Sequence, residues 1–156
     1  MENQPYILAA AAAAPDANSA SSFGGWRFGR DAYEDLQIAG TLRTNLLLVA
    51  SSDATRTVLA MLWPGLREPI KAWRPGQQLD LPLPGRVATL ILHDVNDLAF
   101  DDQQRVLRWL DETGGRIRVV STSMVPLWPY VETGAFNVAL YYRLNTLCVD
   151  VTARKD

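Results

Sequence analysis

Short runs of mainly apolar residues recur along the chain and are separated by stretches of mixed polarity. Each run is four to six residues long and is bounded by turn-forming or charged residues. Such runs are typical of strands that are buried on both faces of a parallel sheet. We predict five strands, over residues 46–50, 70–73, 89–92, 117–122 and 147–151.

Between these runs, apolar residues recur at helical spacing. Gly40, Pro64 and the Gly114-Gly115 pair follow three of the periodic stretches and are typical helix stops. Strands that alternate with helices predict a doubly wound parallel α/β sheet with helices on both faces, whose ligands bind at the carboxyl ends of the strands. The predicted helices are residues 31–39, 55–63, 101–111 and 141–144.

The first thirty residues differ in composition from the rest of the chain. A run of alanines over residues 9–14 is followed by small and polar residues, which have little surface to bury. We therefore predict a flexible leader over residues 1–30 and one α/β domain over residues 31–156. Gly24, Gly25 and Gly29 predict an irregular backbone at the end of the leader.

Composition narrows the class of protein. The 156 residues include 15 Lys and Arg against 17 Asp and Glu, a balance that argues against direct nucleic-acid binding. Cys148 is the single cysteine, so no disulfide framework forms within the chain. The longest apolar stretch of the leader, residues 6–14, falls well short of the ~20 residues that span a bilayer. These features predict a cytoplasmic protein without a membrane segment.

Four blocks of sequence, taken together, carry a family resemblance. They read A-T-L-I-L-H-D-V-N-D-L over residues 88–98, Q-Q-R-V-L-R-W-L over 103–110, R-V-V-S-T-S over 118–123 and L-Y-Y-R-L-N over 140–145. In order and approximate spacing they resemble the AAA+ domain of sigma-54-dependent transcription activators, which has G-T-L-F-L-D-E-I-G-E-L, Q-x-x-L-L-R-V-L, R-V-I-A-A-T-N and D-L-Y-Y-R-L-N. Residues 31–63 match by pattern only. The resemblance implies a P-loop NTPase (AAA+) type core whose first strand lies between the fourth and the last.

The resemblance also places a vestigial nucleotide site in this chain. Its phosphate loop corresponds to a segment without glycine, although glycines let backbone amides wrap the phosphates. Thr55 stands at the position of the family's lysine, and Asp53 brings a carboxylate towards phosphate oxygens. The site residues are Ser51, Ser52, Asp53, Ala54, Thr55, Arg56, His93, Asp94 and Met124.

The positions that correspond to the catalytic residues are also changed. His93 replaces the family's magnesium-binding aspartate, and a neutral imidazole is a poor magnesium ligand. Asp94 replaces the glutamate that activates water and is one methylene shorter. Met124 and Asn137 replace the sensor asparagine and an arginine of the finger region. The family's helical lid has no counterpart before Asp156, and residues 74–87 stand where the family has a long polymerase-contacting insertion.

These differences predict a non-hydrolysing protein-interaction module in transcriptional or two-component signalling control. It has no catalytic residue, no cofactor and no metal, and its partner is a protein; the resemblance leaves open whether the chain oligomerises. The alternative is a nucleotide-binding ATPase with a non-standard phosphate loop, in which Arg56 and Asp94 replace the usual pair. A receiver domain is a weaker third reading, because residues 49–52 lack the acidic pair that it needs.

Two expectations concern the last block and the aromatic residues. Tyr141 and Leu144 are predicted to pack against Val149 and the sheet, while Arg143 points outward as a possible interface residue or pairs with an acidic group. The other aromatic side chains of this half are interpreted as packing residues rather than as a binding surface: Trp109, Trp128 and Tyr130.

Overall fold

Five parallel strands of the computed structural model form one sheet. The structure describes residues 21–23, 26–28 and 30–152. The sheet strands are β3 (Leu46–Val49), β4 (Ile70–Trp73), β5 (Thr89–Leu92), β6 (Arg118–Ser123) and β7 (Leu147–Asp150), preceded by β1 (Ser21–Phe23) and β2 (Trp26–Phe28). Across the sheet they run in the order β4, β5, β6, β3, β7. The predicted strand order is confirmed, since the first of the five strands lies between the fourth and the last.

Five helices connect or follow these strands. They are α1 (Arg30–Thr41), α2 (Ser52–Leu62), α3 (Phe100–Thr113), α4 (Trp128–Glu132) and α5 (Val138–Leu144). Two short 3₁₀ turns, Trp63–Gly65 and Val95–Asp97, follow α2 and β5. The four predicted helices are confirmed, with ends that differ by at most three residues.

The helices cover both faces of the sheet, as predicted. One face packs on α3 and α5 and buries alternate strand residues such as Leu47, Leu90 and Val119. The opposite face packs on α1 and α2 and buries the intervening residues, such as Leu48 and Val120. Neighbouring residues of a strand point to opposite faces, so a strand buried on both faces, such as β3, is apolar throughout.

Two helix ends show when a glycine stops a helix. Gly114 has φ 58°, the left-handed conformation that glycine adopts without strain, and it caps α3 as predicted. Gly40 was also predicted to end its helix, and this was wrong. The helix continues to Thr41, whose hydroxyl donates to the Ile38 carbonyl at 2.9 Å, and Leu42 N donates to the same carbonyl. These two bonds satisfy the last turn without a left-handed residue.

Two short elements of the structure were not predicted from the sequence. Residues 21–23 and 26–28, expected to be irregular, pair as antiparallel strands, with Phe23 opposite Trp26. The intervening sequence Gly24-Gly25 is a favoured two-residue hairpin dipeptide. Helix α4 was missed, because five residues with Pro129 near the start carry no helical period. Most of the proposed leader, residues 1–20, lies outside the described residues.

Leu144 lies on the other face of the sheet from its expected partner. It is fully buried with α3 and the face that carries Leu47, whereas Val149 is buried on the face that carries α1 and α2. Helix α5 precedes β7 on the α3 side, so its apolar stripe meets residues of the neighbouring strands instead. The burial of Leu144 is confirmed, and Val149 as its contact was wrong.

None of the helices in the described ranges is long and apolar enough to cross a bilayer.

Ser121 is a buried polar residue whose hydroxyl has no hydrogen-bond partner among the described residues. Leaving a buried hydroxyl unpaired costs about 1–3 kcal/mol. We therefore expect Ser121→Ala to raise the free energy of unfolding by about 1 kcal/mol, measured by urea denaturation. Ser123→Ala is the matched control on the same strand. Its hydroxyl donates to the Val125 carbonyl at 2.5 Å, so this variant should lose stability, and a loss in both variants would contradict the expectation.

Candidate functional site

The connection between β3 and α2 is where the resemblance places a phosphate loop. Only Ala50 and Ser51 lie between the end of β3 at Val49 and the first residue of α2, Ser52. A phosphate loop of the G-x-x-x-x-G-K-[ST] type needs several residues outside the helix to bring amides around the phosphates. This connection is too short to form that cradle, and Ala50 N is bonded to the Ser123 carbonyl across the sheet.

The N-terminus of α2 is satisfied by its own cap. The Ser51 side chain accepts a hydrogen bond from Ala54 N at 3.3 Å, and the Ser51 carbonyl accepts from Thr55 N at 2.8 Å. Asp53 lies in the first turn, where a carboxylate interacts favourably with the positive end of the helix dipole. The Ala54 amide is therefore engaged by the cap, and Asp53 adds a negative charge in the first turn of the helix.

Thr55 and Arg56 lie within α2 rather than in a loop. Thr55 is half-buried, and Arg56 is exposed on the second turn of the helix. The Arg56 side chain is the cation of this segment, and Asp53 lies three residues before it on a neighbouring part of the helix surface. The sequence assigned these two residues to the site, and the structure places both beside it on the helix.

His93 and Asp94 follow β5, as the resemblance requires. His93 is buried, and its backbone N donates to the Trp73 carbonyl at 3.0 Å. Burial and the nearby Arg74 guanidinium lower the pKa of His93, while the Asp94 carboxylate acts in the opposite direction. Asp94 has φ 49° and donates its backbone N–H to Thr122 Oγ1 at 3.1 Å. This pair is thus tied to strands β4 and β6 through the backbone.

Met124 contacts the helix that follows the neighbouring strand. It follows β6, which separates β3 from β5, and neighbouring strands lie about 4.8 Å apart. Ser52 Oγ lies 3.6 Å from Met124 Sδ, so the thioether of Met124 contacts the start of α2. A thioether is a weak hydrogen-bond acceptor with no charge. It does not position a water or a phosphate as an amide side chain does.

The structure therefore brings Ser51, Ser52 and Met124 together at the carboxyl edge of the sheet. His93 and Asp94 follow β5, which β6 separates from β3. A contact between Ser123 and Asn96, which lies between these two groups, was not predicted from the sequence. Ser123 Oγ lies 3.2 Å from Asn96 Oδ1 and also bonds the Val125 backbone. A serine at the end of β6 was the available signal. No group of three or more His, Cys, Asp or Glu in the described part of the chain could hold a metal ion.

Two clefts of about 280 and 250 Å³ lie at the opposite, amino-terminal edge of the sheet. They share Thr113 and Ile117 as a common wall. Several of their lining arginines follow the C-terminal ends of helices, where a positive charge stabilises the helix dipole. The clefts are therefore separate from the edge that the resemblance assigns to a nucleotide, and their lining includes Arg43, Arg67, Arg116 and Arg143.

Arg143 lies on α5 and pairs with Asp111 of α3 within the same chain. Asn45 anchors the end of this helix, because its side chain donates to the Arg143 carbonyl at 2.9 Å and accepts from Val119 N at 2.8 Å. The expected acidic partner of Arg143 is confirmed. Its role at an interface stays a prediction.

Comparison with known proteins identifies the family that the C-terminal half of the chain resembles. Residues 77–153 match the sigma-54 interaction domain family. The HTH-type transcriptional regulatory protein TyrR of Haemophilus influenzae is 33% identical over 79 residues, which cover 44% of this chain and 25% of TyrR. The chain thus spans about a quarter of the curated relative that it matches.

Solved structures of higher coverage show the same fold. The structure of NtrX from Brucella abortus in complex with ATP has a TM-score of 0.65 and 16% identity, over 85% of this chain and 37% of that one. The P-loop NTPase domain of a sigma-54 activator from E. coli has a TM-score of 0.60 and 15% identity, over 78% of this chain and 92% of that one. The five-stranded core therefore has the P-loop NTPase fold, and the resemblance of the four sequence blocks to the sigma-54 interaction domain is confirmed within residues 77–153.

Proposed function

We propose that this chain, which is homologous to sigma-54 activators over residues 77–153, is a non-hydrolysing protein-interaction module in transcriptional or signalling control. The proposed module begins at residue 31 and keeps the α/β core of its relatives. The regulatory context comes from TyrR, which is a transcriptional regulatory protein. The loss of hydrolysis is inferred from the geometry of the site.

The two-residue connection between β3 and α2 carries the proposal. It leaves no backbone cradle for phosphates, and Ser51 occupies the amide of Ala54 as a helix cap. Asp53 adds a carboxylate where phosphate oxygens would have to lie. Phosphate binding at a helix start depends on free amide groups and favourable charge, so the cap on Ala54 and the carboxylate of Asp53 both oppose it. His93 stands where the family has its magnesium-binding aspartate, and burial lowers its pKa, which favours the neutral imidazole, a poor magnesium ligand.

The segment between β4 and β5 indicates that this chain contacts its partner through a different surface from the one that the resemblance implies. The resemblance implies a long polymerase-contacting insertion there, whereas this chain has a short segment packed against its own core. Trp73 Nε1 donates to the Gln77 carbonyl at 3.0 Å, Trp109 Nε1 donates to the Pro82 carbonyl at 2.7 Å, and Leu79 is buried. A partner protein would therefore contact another surface.

We expect Mg-ATP to leave the melting temperature of the protein unchanged. A ligand present at about 100 times its Kd stabilises a folded protein by about 2.7 kcal/mol. For a domain of this size that free energy corresponds to a shift of several degrees, so a thermal-shift assay with millimolar Mg-ATP detects even modest binding. The physical reason for the null result is the missing cradle and the carboxylate of Asp53.

Arg56→Ala and Asp53→Ala are the control variants for this assay. Under the proposal, Arg56→Ala changes nothing, because there is no phosphate for the guanidinium to bind. A magnesium-dependent shift that Arg56→Ala abolishes would establish the ATPase alternative instead. Asp53→Ala tests the charge argument, and weak binding that appears only in this variant would show that the carboxylate contributes to the exclusion of phosphate.

A further inference from the structure

Exposed apolar side chains are concentrated on the segment between β6 and the end of α5. Among the described residues, five of the ten exposed large hydrophobic side chains lie there: Met124, Val125, Trp128, Val138 and Tyr142. Contiguous apolar surface of this kind marks interaction sites, whereas single exposed apolar residues are ordinary. We call Trp128, Val138, Tyr141 and Tyr142 the aromatic face.

The aromatic face is contiguous. The ring centroids of Trp128 and Tyr141 are 5.5 Å apart, and those of Tyr141 and Tyr142 are 5.4 Å apart. Val138 lies one helical turn before Tyr142, so the two share a face of α5. Trp128 is 42% exposed and Tyr142 is 63% exposed, so both outer rings of the row meet solvent. The expectation that Trp128 is a packing residue was therefore wrong for much of its ring.

Buried contacts hold this face in place. Leu140 and Leu144 of α5 are fully buried, and the Asn137 side chain caps the helix by accepting from Leu140 N at 3.0 Å. Trp128 Nε1 donates to Glu132 Oε1 at 2.9 Å, which fixes the indole on α4. Aromatic side chains that are already ordered lose little conformational entropy when they bind a partner.

Charged residues are sparse along the segment that carries the aromatic face. Glu132 is the single charged residue in positions 124–142. It forms no ion pair among the described residues. The cation that follows the segment, Arg143, is paired with Asp111 of α3. The surface is apolar and aromatic with the carboxylate of Glu132 at its edge.

We propose that the aromatic face binds a segment of a partner protein that carries apolar side chains together with arginine or lysine. Such cations are attracted both by exposed aromatic ring faces and by the carboxylate of Glu132. Tryptophan and tyrosine are the side chains on which binding energy is most often concentrated at interfaces. This assignment rests on the proposed interaction function and names the surface and the chemistry of its partner.

A second copy of the chain fits this surface less well. In a two-fold symmetric dimer the same patch meets itself, so Glu132 of each copy would approach the face that carries the other Glu132. Like charges at such a contact oppose association. Nucleic acid is disfavoured for the same reason, because its phosphates would meet the Glu132 carboxylate.

Fluorescence anisotropy with labelled synthetic peptides tests the assignment. The probe is an amphipathic peptide of about twelve residues built from leucine and arginine. The control is the same peptide with glutamate in place of arginine. We expect the arginine peptide to bind the full chain and the glutamate peptide to bind at least tenfold more weakly. Trp128→Ala and Tyr142→Ser should each weaken the arginine peptide about tenfold, and Glu132→Gln should reduce both its affinity and its salt dependence.

Trp63→Ala is the matched control, because Trp63 is similarly exposed but follows α2 on the other layer. It should leave peptide affinity unchanged. Tyr142→Ser replaces a largely exposed side chain, so it keeps the test valid if Trp128→Ala disturbs the packing of Tyr141. Absence of binding, equal binding of both peptides, or an equal loss in Trp63→Ala would overturn the assignment. So would self-association of the unliganded chain that Trp128→Ala abolishes. None of these results depends on ATP, so the assignment and the loss of nucleotide binding fail separately.

Discussion

Replacing Leu144 with alanine is expected to lower the free energy of unfolding by about 2–5 kcal/mol. Leu144 is completely buried on α5, among residues that include Leu47 and Val119 of the central strands. Truncation removes buried methyl groups and leaves a cavity that a close-packed core does not fill. A loss of this size is a large part of the stability of a small domain. Urea denaturation with an unchanged m value would measure it.

Two variants on the same helix separate burial from helix propensity and charge. Val138→Ala removes an exposed apolar side chain at the start of α5, and we expect a change within about 0.5 kcal/mol. Arg143→Ala breaks the pair with Asp111, but both side chains are substantially exposed, so the loss should stay within about 1 kcal/mol. If Arg143→Ala destabilises the protein more than Leu144→Ala, α5 is held by its polar contacts rather than by its buried stripe.

The strands of the sheet could be predicted from the sequence, because the apolar runs that mark strands are also the residues that the sheet buries. Residues 46–49 and 90–92 are apolar and buried, as expected of central strands in a parallel sheet. The strand order could not come from periodicity, since any order would bury these strands equally well. It came from the family resemblance. Helix α4 and the hairpin of β1 and β2 were missed, because short elements depend on local turn chemistry rather than on a repeating apolar pattern.

The position of the site in the fold could be predicted from the sequence, but the arrangement of its residues could not. The sequence showed that glycines and lysine are missing near Thr55, yet it could not show that α2 begins at Ser52 and leaves only two connecting residues. The contact between Ser52 and Met124 joins residues 72 positions apart, and only the parallel arrangement of β3 and β6 brings them together. The exposure of Trp128 was likewise beyond the sequence, because an aromatic residue in a short helix fits a core and a surface equally.

Gln103 connects α3 to the segment that starts α5, and its amide group was not assigned a role from the sequence. The side chain is 1% exposed. Its Nε2 donates to the Leu98 carbonyl at 2.9 Å and to the Ala135 carbonyl at 3.0 Å, and its Oε1 accepts from Asn137 N at 2.7 Å. One amide therefore satisfies three backbone groups and fixes the residue that caps α5. A buried polar group is tolerated in such a position because all of its bonds are made.

We expect Gln103→Leu to lower the free energy of unfolding by about 2–3 kcal/mol, since the leucine fills a similar volume but leaves the three backbone groups without their partner. Gln104→Leu is the matched control, as the neighbouring residue is exposed on the same helix and should change stability by less than about 0.5 kcal/mol. Urea denaturation of the two variants gives the comparison. Because Asn137 positions the first turn of α5, Gln103→Leu should also weaken binding at the aromatic face. Gln104→Leu should leave this binding unchanged. Equal stability of the two variants would show that water or neighbouring groups replace the bonds of Gln103, and that the start of α5 is held in another way.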